Sequence, residues 1–166
     1  MNNDLLQQVY QQYSREIYVY LFTLCKNHDM AEDLRQETFL KAILSLPDDH
    51  TNVRAWLYKV ARNLCFNRLK RDKHTDESHS ADERAPCTDE PEEAVLQNIK
   101  NQSLYRAILQ LEGIKREVIL LHYFSEMPYD EISKLLGVSA QNLRATAVRA
   151  KRELKKMMEE QGYDVS

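Results

Sequence analysis

The chain has 166 residues, of which 43% are hydrophobic and 30% charged, and its formal net charge at pH 7 is −3. This composition is ordinary for a folded water-soluble protein, and the length allows one domain or two small ones. No apolar run approaches the roughly 20 residues that span a bilayer, and the N-terminal residues lack the basic-then-apolar order of a secretory signal. We therefore expect a cytoplasmic protein that does not insert into a membrane.

The numbers of cysteines and glycines narrow the possible fold and function further. The three cysteines are odd in number, far apart and without a CxxC pair, which argues against a disulfide framework or a thiolate metal site and favours reduced thiols. Only three glycines and four prolines interrupt the chain, so the sequence predicts an all-α fold. Because no nucleophile-base pair, metal-ligand cluster or phosphate-binding glycine loop is visible, we expect no enzyme, no metal and no cofactor.

Charge is distributed in blocks that suggest two domains. Residues 54–73 carry seven basic side chains against Asp72 alone, whereas residues 76–93 carry eight acidic side chains against Arg84 alone. The acidic stretch has almost nothing apolar to bury, so it cannot recover its ordering entropy. We predict two small helical domains, residues 1–73 and 92–166, joined by a flexible acidic linker at residues 74–91.

Two amphipathic helices open the first domain. The first is predicted to bury residues at helical spacing, and the second to bury one apolar side while its polar side stays exposed. That acidic face is either solvated or a docking surface for a basic partner, two interpretations of equal weight. The expected core residues are Tyr10, Tyr13, Ile17 and Leu21 on the first helix and Leu34, Phe39, Ala42 and Ile43 on the second; the polar side carries Glu32, Asp33, Gln36 and Glu37.

A third helix follows the loop at residues 47–52. Trp56, Leu57, Val60 and Leu64 supply its apolar side, with Trp56 expected to be buried. Interleaved aromatic and basic residues are typical of surfaces that hold unstacked single-stranded bases. Phe66 is compatible with either stacking on a base or burial against the first helix. A second face of this helix, distinct from the apolar side, carries the aromatic and basic residues together with an asparagine: Lys59, Arg62, Asn63, Phe66 and Lys70.

The second domain ends in two helices joined by a short turn. Residues 95–111 and 114–127 form two apolar-patterned helices separated at Gly113, and Pro128 then opens a further helix with Asp130 and Glu131 in its first turn. Gly137 is suited to a left-handed turn and Ser139 to a helix cap. Helix, tight glycine turn and helix make a helix-turn-helix, whose second helix enters a major groove.

The last helix is strongly basic. Gln141, Asn142 and Arg144 fall in its first turns, where side chains reach base edges. Five later cations are placed to meet phosphates, although an ordinary helical hairpin with a solvated basic face is the alternative. These cations are Arg149, Lys151, Arg152, Lys155 and Lys156.

Three segments in series amount to a family resemblance. "AEDLRQETFLKA", "RAWLYKVARN" and "GVS" with a basic helix containing "RAKREL" occur in that order, with the acidic tether before the last. The chain thereby resembles the extracytoplasmic-function group of bacterial RNA polymerase sigma factors over nearly its whole length. The resemblance implies that the first domain binds core polymerase and melts and reads the minus-ten element of promoter DNA, and that the second reads the minus-thirty-five element. It also implies a linker in the polymerase channel and an anti-sigma partner, which in this group can be membrane-anchored.

Site residues follow from the same resemblance. The polymerase-docking helix falls on Asp33, Gln36 and Glu37. The minus-ten surface falls on Pro47, Asp48, Asp49, His50, Thr51, Asn52, Lys59, Arg62, Asn63, Phe66 and Lys70. The minus-thirty-five surface falls on Ser139, Gln141, Asn142, Arg144, Ala145, Thr146, Val148, Arg149 and Arg152. Where the family often has Gly-Thr-Val-Lys-Ser-Arg, this chain departs from it with Gln-Asn-Leu-Arg-Ala-Thr at residues 141–146. A free-standing helix-turn-helix regulator is the alternative function, but it gives the first domain's motifs no role.

Overall fold

The computed structural model describes residues 3–46, 52–75 and 102–162. Throughout these ranges the regular structure is helical, with no strand, which confirms the predicted all-α fold. The chain divides into two units, Met1–Glu93 and Ala94–Ser166. Of the predicted linker, all but the first two residues lies outside the described ranges. Those two residues belong to the third helix, which ends at Thr75, two residues beyond the predicted end of the first domain.

Three helices build the first unit: α1 (Asn3–Cys25), α2 (His28–Ser45) and α3 (Val53–Thr75). Each packs against the other two. The shared core contains the fully buried side chains of Leu34 on α2 and Tyr58 on α3. The Tyr58 hydroxyl donates to Glu16 Oε1 at 2.9 Å, so the one polar atom of this buried ring is satisfied by a side chain of α1.

Short capped turns fix where these helices begin. Lys26 takes a positive φ of 54° after α1, and Asn27 Oδ1 then accepts from the Met30 N–H at 2.9 Å to cap α2. Asn52 Oδ1 likewise accepts from the Ala55 N–H at 3.0 Å at the start of α3. Both asparagines satisfy amide groups that the first helical turn leaves without a partner.

Several predicted core positions in the first unit are exposed instead. Ile17 and Leu21 are fully buried as predicted, but Tyr10 and Ile43 are 42% and 49% exposed. Neighbouring helices cover only one side of α2, and Ile43 lies about 100° around the helix from the buried Ala42. The predicted burial of Tyr10 and Ile43 is therefore wrong.

The apolar side of α3 is covered unevenly. Leu57 is fully buried, whereas Trp56, Val60 and Leu64 are half-buried. Phe66 is 40% exposed, so of its two predicted environments the structure supports the outward one. Tyr13 on α1 is likewise half-buried rather than part of the closed core.

The second unit is built around its last helix. Its elements are α4 (Gln102–Gln110), α5 (Gly113–Ile119) with a π-helical continuation (Leu120–Phe124), α6 (Tyr129–Leu136) and α7 (Ala140–Glu160). α7 packs against α4, α5 and α6. The core joins Ile108 and Leu111 to Ala150, Leu154 and Met158 of α7. The predicted apolar positions before residue 102 lie outside the described residues.

Candidate DNA-binding and protein-binding surfaces

The predicted helix-turn-helix is present between α6 and α7. Gly137 ends α6 with φ 71° and ψ 27°, the left-handed conformation that glycine adopts without a steric penalty. Ser139 then caps α7, its hydroxyl oxygen accepting from the Asn142 N–H at 3.2 Å. Asp130 and Glu131 occupy the first turn of α6, as predicted. Local sequence signals therefore set the geometry of the whole motif.

α7 separates a buried side from an exposed one. Leu143, Ala147, Ala150 and Leu154 recur at three- and four-residue steps and face the core. The opposite side is exposed and carries most of the residues predicted to meet DNA. Exposed there are Ser139, Gln141, Asn142, Arg144, Ala145, Val148, Arg149, Lys151, Arg152, Lys155 and Lys156.

Thr146 departs from this pattern. Its side chain is only 9% exposed, and its hydroxyl donates to the Asn142 carbonyl oxygen at 2.7 Å. The same hydroxyl oxygen accepts from Arg149 Nη2 at 3.2 Å. Thr146 therefore orients a neighbouring arginine and has little surface left for a base, so we remove it from the predicted DNA contacts.

An aromatic cluster that sequence reasoning missed lies beside α7. The His122 ring stacks on Tyr129 with centroids 4.0 Å apart and planes 19° from parallel. The guanidinium carbon of Arg144 lies 5.3 Å from the Tyr129 ring centroid, within cation-π range. Burial is the main cause that raises the pKa of Tyr129, and the neighbouring Tyr123 adds to it. Tyr129 stays neutral near pH 7 and offers Arg144 an aromatic face.

A second aromatic contact involves Lys151. Its Nζ lies 4.7 Å from the centroid of the Tyr123 ring. A hydrogen bond with Tyr123 is the main cause that raises the pKa of Lys151, which keeps the ammonium charged. Tyr123 is 45% exposed beside this cation. The sequence signal for both contacts was two tyrosines flanking the start of the helix-turn-helix, but nothing in it identified the partner residues on α7.

On α2, the predicted acidic face is exposed. Asp33, Gln36 and Glu37 all reach solvent. Asp33 Oδ2 also lies 3.3 Å from Arg68 Nη1 of α3, while Glu32 pairs within the helix with Arg35 at 2.6 Å. The structure therefore brings the three predicted docking residues together on one face of α2. The contact with Arg68 links the first of them, Asp33, to α3.

Apolar side chains continue this face along α2. Leu40 and Leu44 are 53% and 75% exposed, and Ile43 lies beside them. A groove of about 590 Å³ runs between α1 and α2, lined by Leu6, Gln7, Tyr10, Gln36, Phe39, Leu40 and Ile43. Leu34, Phe39 and Ala42 already fill the buried side of α2. The further apolar residues Leu40 and Ile43 were therefore the signal in the sequence for this groove. An exposed apolar patch that is bordered by polar residues is typical of a surface that binds protein.

α3 presents the predicted polar and aromatic face. Lys59, Asn63, Phe66 and Lys70 are exposed, and the guanidinium carbon of the half-buried Arg62 lies 4.5 Å from the Phe66 ring centroid. Of the predicted loop, only Asn52 is described, and its side-chain oxygen Oδ1 caps α3 by accepting from the Ala55 N–H. The other loop residues, Pro47, Asp48, Asp49, His50 and Thr51, lie outside the described residues.

Comparison with known proteins identifies both units. A model of sigma-70 region 2 matches residues 9–75, and a model of sigma-70 region 4 matches residues 101–154. RNA polymerase sigma factor YlaC of Bacillus subtilis is 33% identical over 162 residues, covering 95% of this chain and 94% of that relative. ECF RNA polymerase sigma factor SigM of the same organism is 30% identical, covering 90% and 93%. This chain belongs to the ECF group of bacterial RNA polymerase sigma factors.

Solved structures share the fold of this sigma factor. The sigma factor RpoE of Bartonella quintana, solved with the anti-sigma factor NepR, aligns with a TM-score of 0.70 at 20% identity. The alignment covers 92% of this chain and 96% of that one. CnrH, solved with the cytosolic domain of CnrY, aligns with a TM-score of 0.62 at 19% identity and covers 96% and 90%. Both comparisons support the all-α architecture.

The region assignment places each surface of the sigma factor. Region 2 contains α1, α2 and α3 with the acidic face of α2 and the polar and aromatic face of α3, and region 4 contains the helix-turn-helix. A free-standing regulator would leave the region 2 match unexplained, so that alternative is not favoured. Among the described helices none is long and apolar enough to cross a membrane. The described residues also contain no group of three or more His, Cys, Asp or Glu side chains suited to a metal ion.

Proposed function

We propose that this sigma factor uses α2 to bind core RNA polymerase, α3 to hold the melted minus-ten strand and α7 to read the minus-thirty-five element. The observation that carries the proposal is the chemical contrast between exposed faces within one chain. The face on α2 is acidic and apolar, whereas the faces on α3 and α7 are basic and polar. A protein partner gains affinity from the first kind of surface by burying its apolar area. Nucleic acid gains affinity from the second kind through contacts between cations and phosphates.

The α2 face fits a basic helical partner on the polymerase. Asp33 and Glu37 are one helical turn apart, so their carboxylates lie on the same side of α2. Leu40 and Leu44 extend that side and supply apolar area that a partner would remove from water. Opposite charges give orientation and specificity, while burial of the leucines gives affinity.

The α3 face fits a single strand. Phe66 offers an exposed ring for base stacking, and Arg62 beside it brings a cation to the same place. Asn63 carries both a donor and an acceptor for the edge of a base turned out of the stack. Lys59 and Lys70 lie on the same side of the helix, where they can follow the phosphates.

The α7 face fits a major groove. Arg144 follows the Ser139 cap by little more than one turn, and the ring of Tyr129 supports its guanidinium. An arginine at this position can donate two hydrogen bonds to guanine O6 and N7. Lys155 and Lys156 lie further along the helix and contribute charge without sequence preference.

We also propose that an anti-sigma protein binds this chain. Support comes from two solved structures of the same fold: the sigma factor RpoE in complex with the anti-sigma factor NepR, and CnrH in complex with the cytosolic domain of CnrY. Such a protein would compete with polymerase if it covered the α2 face. Anchoring of that partner in a membrane would place the complex at the membrane surface without any insertion of this chain.

Titration of the purified protein against core polymerase tests the proposed function. We expect saturable binding and initiation that depends on both promoter elements. Footprinting of duplex DNA by the protein alone is the control, and we expect no specific footprint without polymerase. A specific footprint together with no affinity for polymerase would favour an independent regulator and contradict the proposal.

A further inference from the structure

Three aromatic rings form a row beside α7. The His122 ring stacks on Tyr129, and Tyr123 meets the same imidazole edge-on, with centroids 4.9 Å apart and planes at 83°. His122 Nδ1 donates to the Met127 carbonyl oxygen at 2.9 Å, which fixes the orientation of the imidazole. Tyr123 belongs to the π-helical segment Leu120–Phe124, which precedes the helix-turn-helix. An element separate from α7 therefore holds the Tyr123 ring in place.

Each end of this row contacts a cation of α7. The guanidinium carbon of Arg144 lies 5.3 Å from the Tyr129 ring centroid, and Lys151 Nζ lies 4.7 Å from the Tyr123 ring centroid. Both cations belong to the exposed side of α7. They are seven residues apart in sequence, which puts them on the same side of the helix and about 10 Å apart along its axis. The row thus supports two cations on the surface proposed to face DNA.

The Tyr123 ring leaves the charge of Lys151 available to an anion. A ring face attracts an ammonium group without neutralising it, whereas a carboxylate partner neutralises it. Lys115 shows the second arrangement, because its ammonium pairs with Glu153. A lysine that already rests on a ring has lost part of its rotamer freedom, so it loses less when it binds an anion. Lys151 therefore combines a positive charge, exposure and a supported position.

We propose that Tyr123 positions the Lys151 ammonium to bind one phosphate of the promoter backbone beside the minus-thirty-five element. The inference rests on the proposed reading of that element by α7. Phosphate contacts set the register of a recognition helix on the duplex and carry no base preference themselves. A phosphate held at Lys151 would fix where Arg144, at the other end of the row, meets the bases. Tyr123 is thus a positioning residue that acts on DNA through Lys151.

Single methylphosphonate substitutions, each of which removes the charge of one phosphate, test this contact. We expect one position beside the minus-thirty-five element to weaken promoter binding by the wild-type holoenzyme roughly tenfold, the order expected for a hydrogen bond to a charged group. In Lys151→Ala the same substitution should cost nothing further. Tyr123→Ala should bind the unmodified promoter about two- to fivefold more weakly and should keep a penalty of only about two- to fivefold at that position. Every other position should cost each variant as much as it costs wild type.

Three further variants control for the ring, the fold and the net charge. Tyr123→Phe keeps the ring and should keep the full penalty. Tyr123→Leu keeps apolar bulk without a ring and should match Tyr123→Ala, so the result does not depend on the alanine variant alone. Arg106→Ala removes one exposed cation of α4, outside the helix-turn-helix, and should keep the full penalty at every position.

The deciding result is whether both residues couple to one phosphate. A full penalty in Tyr123→Ala at the position that Lys151→Ala no longer senses would overturn the inference and leave promoter reading intact. The same holds if Lys151→Ala remains sensitive at every position. A wild-type holoenzyme that binds equally well when the minus-thirty-five element is scrambled would contradict the proposed function itself, and this inference with it.

Discussion

The two sigma regions expose different chemistry from helices of similar length. α2 of region 2 presents Asp33 and Glu37 followed by exposed leucines, whereas α7 of region 4 presents arginines and lysines with Val148 as its one large exposed apolar residue. An interface with protein gains from buried apolar area, and an interface with duplex DNA gains from cations that replace counterions. In the proposed assignment of partners, the outward face of each helix therefore indicates the class of partner more directly than its inward face.

The inward faces differ as well. Buried residues of α7 follow a regular three- and four-residue spacing from Leu143 to Met158, because several helices cover one side of it. On α2 the buried side is filled by Leu34, Phe39 and Ala42, and the remaining apolar residues stay outside. α2 therefore leaves more apolar surface for a partner than α7 does.

Reversal of charge on α2 should give the largest effect. Asp33→Lys with Glu37→Lys should weaken binding to core polymerase by about 100-fold, because like charges facing a basic partner cost several kcal/mol. Circular dichroism should show unchanged helicity, since the exposed Asp33–Arg68 pair contributes at most about 1 kcal/mol. Affinity for core polymerase without DNA is the measurement.

Glu159→Lys with Glu160→Lys is the matched control. Both residues are exposed at the end of α7, and the pair changes net charge by the same amount. We expect this control to bind core polymerase like wild type. Equal losses in the two variants would show that net charge, rather than the α2 face, governs the affinity.

Region 4 should show two separable kinds of loss. Arg144→Ala should reduce discrimination at one or two positions of the minus-thirty-five element by ~1–3 kcal/mol. Lys155→Ala with Lys156→Ala should weaken all promoters alike and reduce the salt dependence by about one unit of slope per lost contact. Transcription from promoter variants over a salt series measures both. If Arg144→Ala weakens every promoter equally, Arg144 contacts the DNA backbone and base reading belongs to Gln141 or Asn142.

Asn63 tests the proposed strand-binding face on α3. Asn63→Ala should reduce open-complex formation by about tenfold, the expected loss for one or two hydrogen bonds to a base, and should leave binding to core polymerase intact. Asn67→Ala is the control, because it makes the same substitution at an exposed position one turn further along α3. Permanganate reactivity of promoter thymines measures strand opening. A parallel fall in core binding would mean that Asn63 is structural.

The smallest effect is expected at Tyr129. Tyr129→Ala should relax preference at the same promoter positions as Arg144→Ala but only by about two- to fivefold, since an exposed cation-π contact is worth ~0.5–1 kcal/mol. Tyr129→Phe keeps the ring and should behave like wild type. In the Arg144→Ala background, Tyr129→Ala should add no further change in preference. A defect in Tyr129→Phe would show that the hydroxyl, rather than the ring, supports recognition.

The sequence by itself determined the helices, the helix-turn-helix and the family. Pro128, Gly137 and Ser139 act on backbone groups a few residues away, so their effect on helix ends is readable from local order. The motifs of both regions can likewise be recognised from the order of residues along the chain. Even the exposed face of α7 followed from periodicity, except at Thr146, whose hydroxyl bonds back to the preceding turn.

Tertiary packing decided which side chains meet and which remain exposed. Periodicity identifies the sides of a helix, but the number and placement of neighbouring helices set how much of each side is covered, as Tyr10, Ile43 and Phe66 show. The contacts of Arg144 with Tyr129 and of Lys151 with Tyr123 join residues on different elements. Such pairs carry no local sequence signal, because only the folded arrangement of the helices brings them within reach of each other.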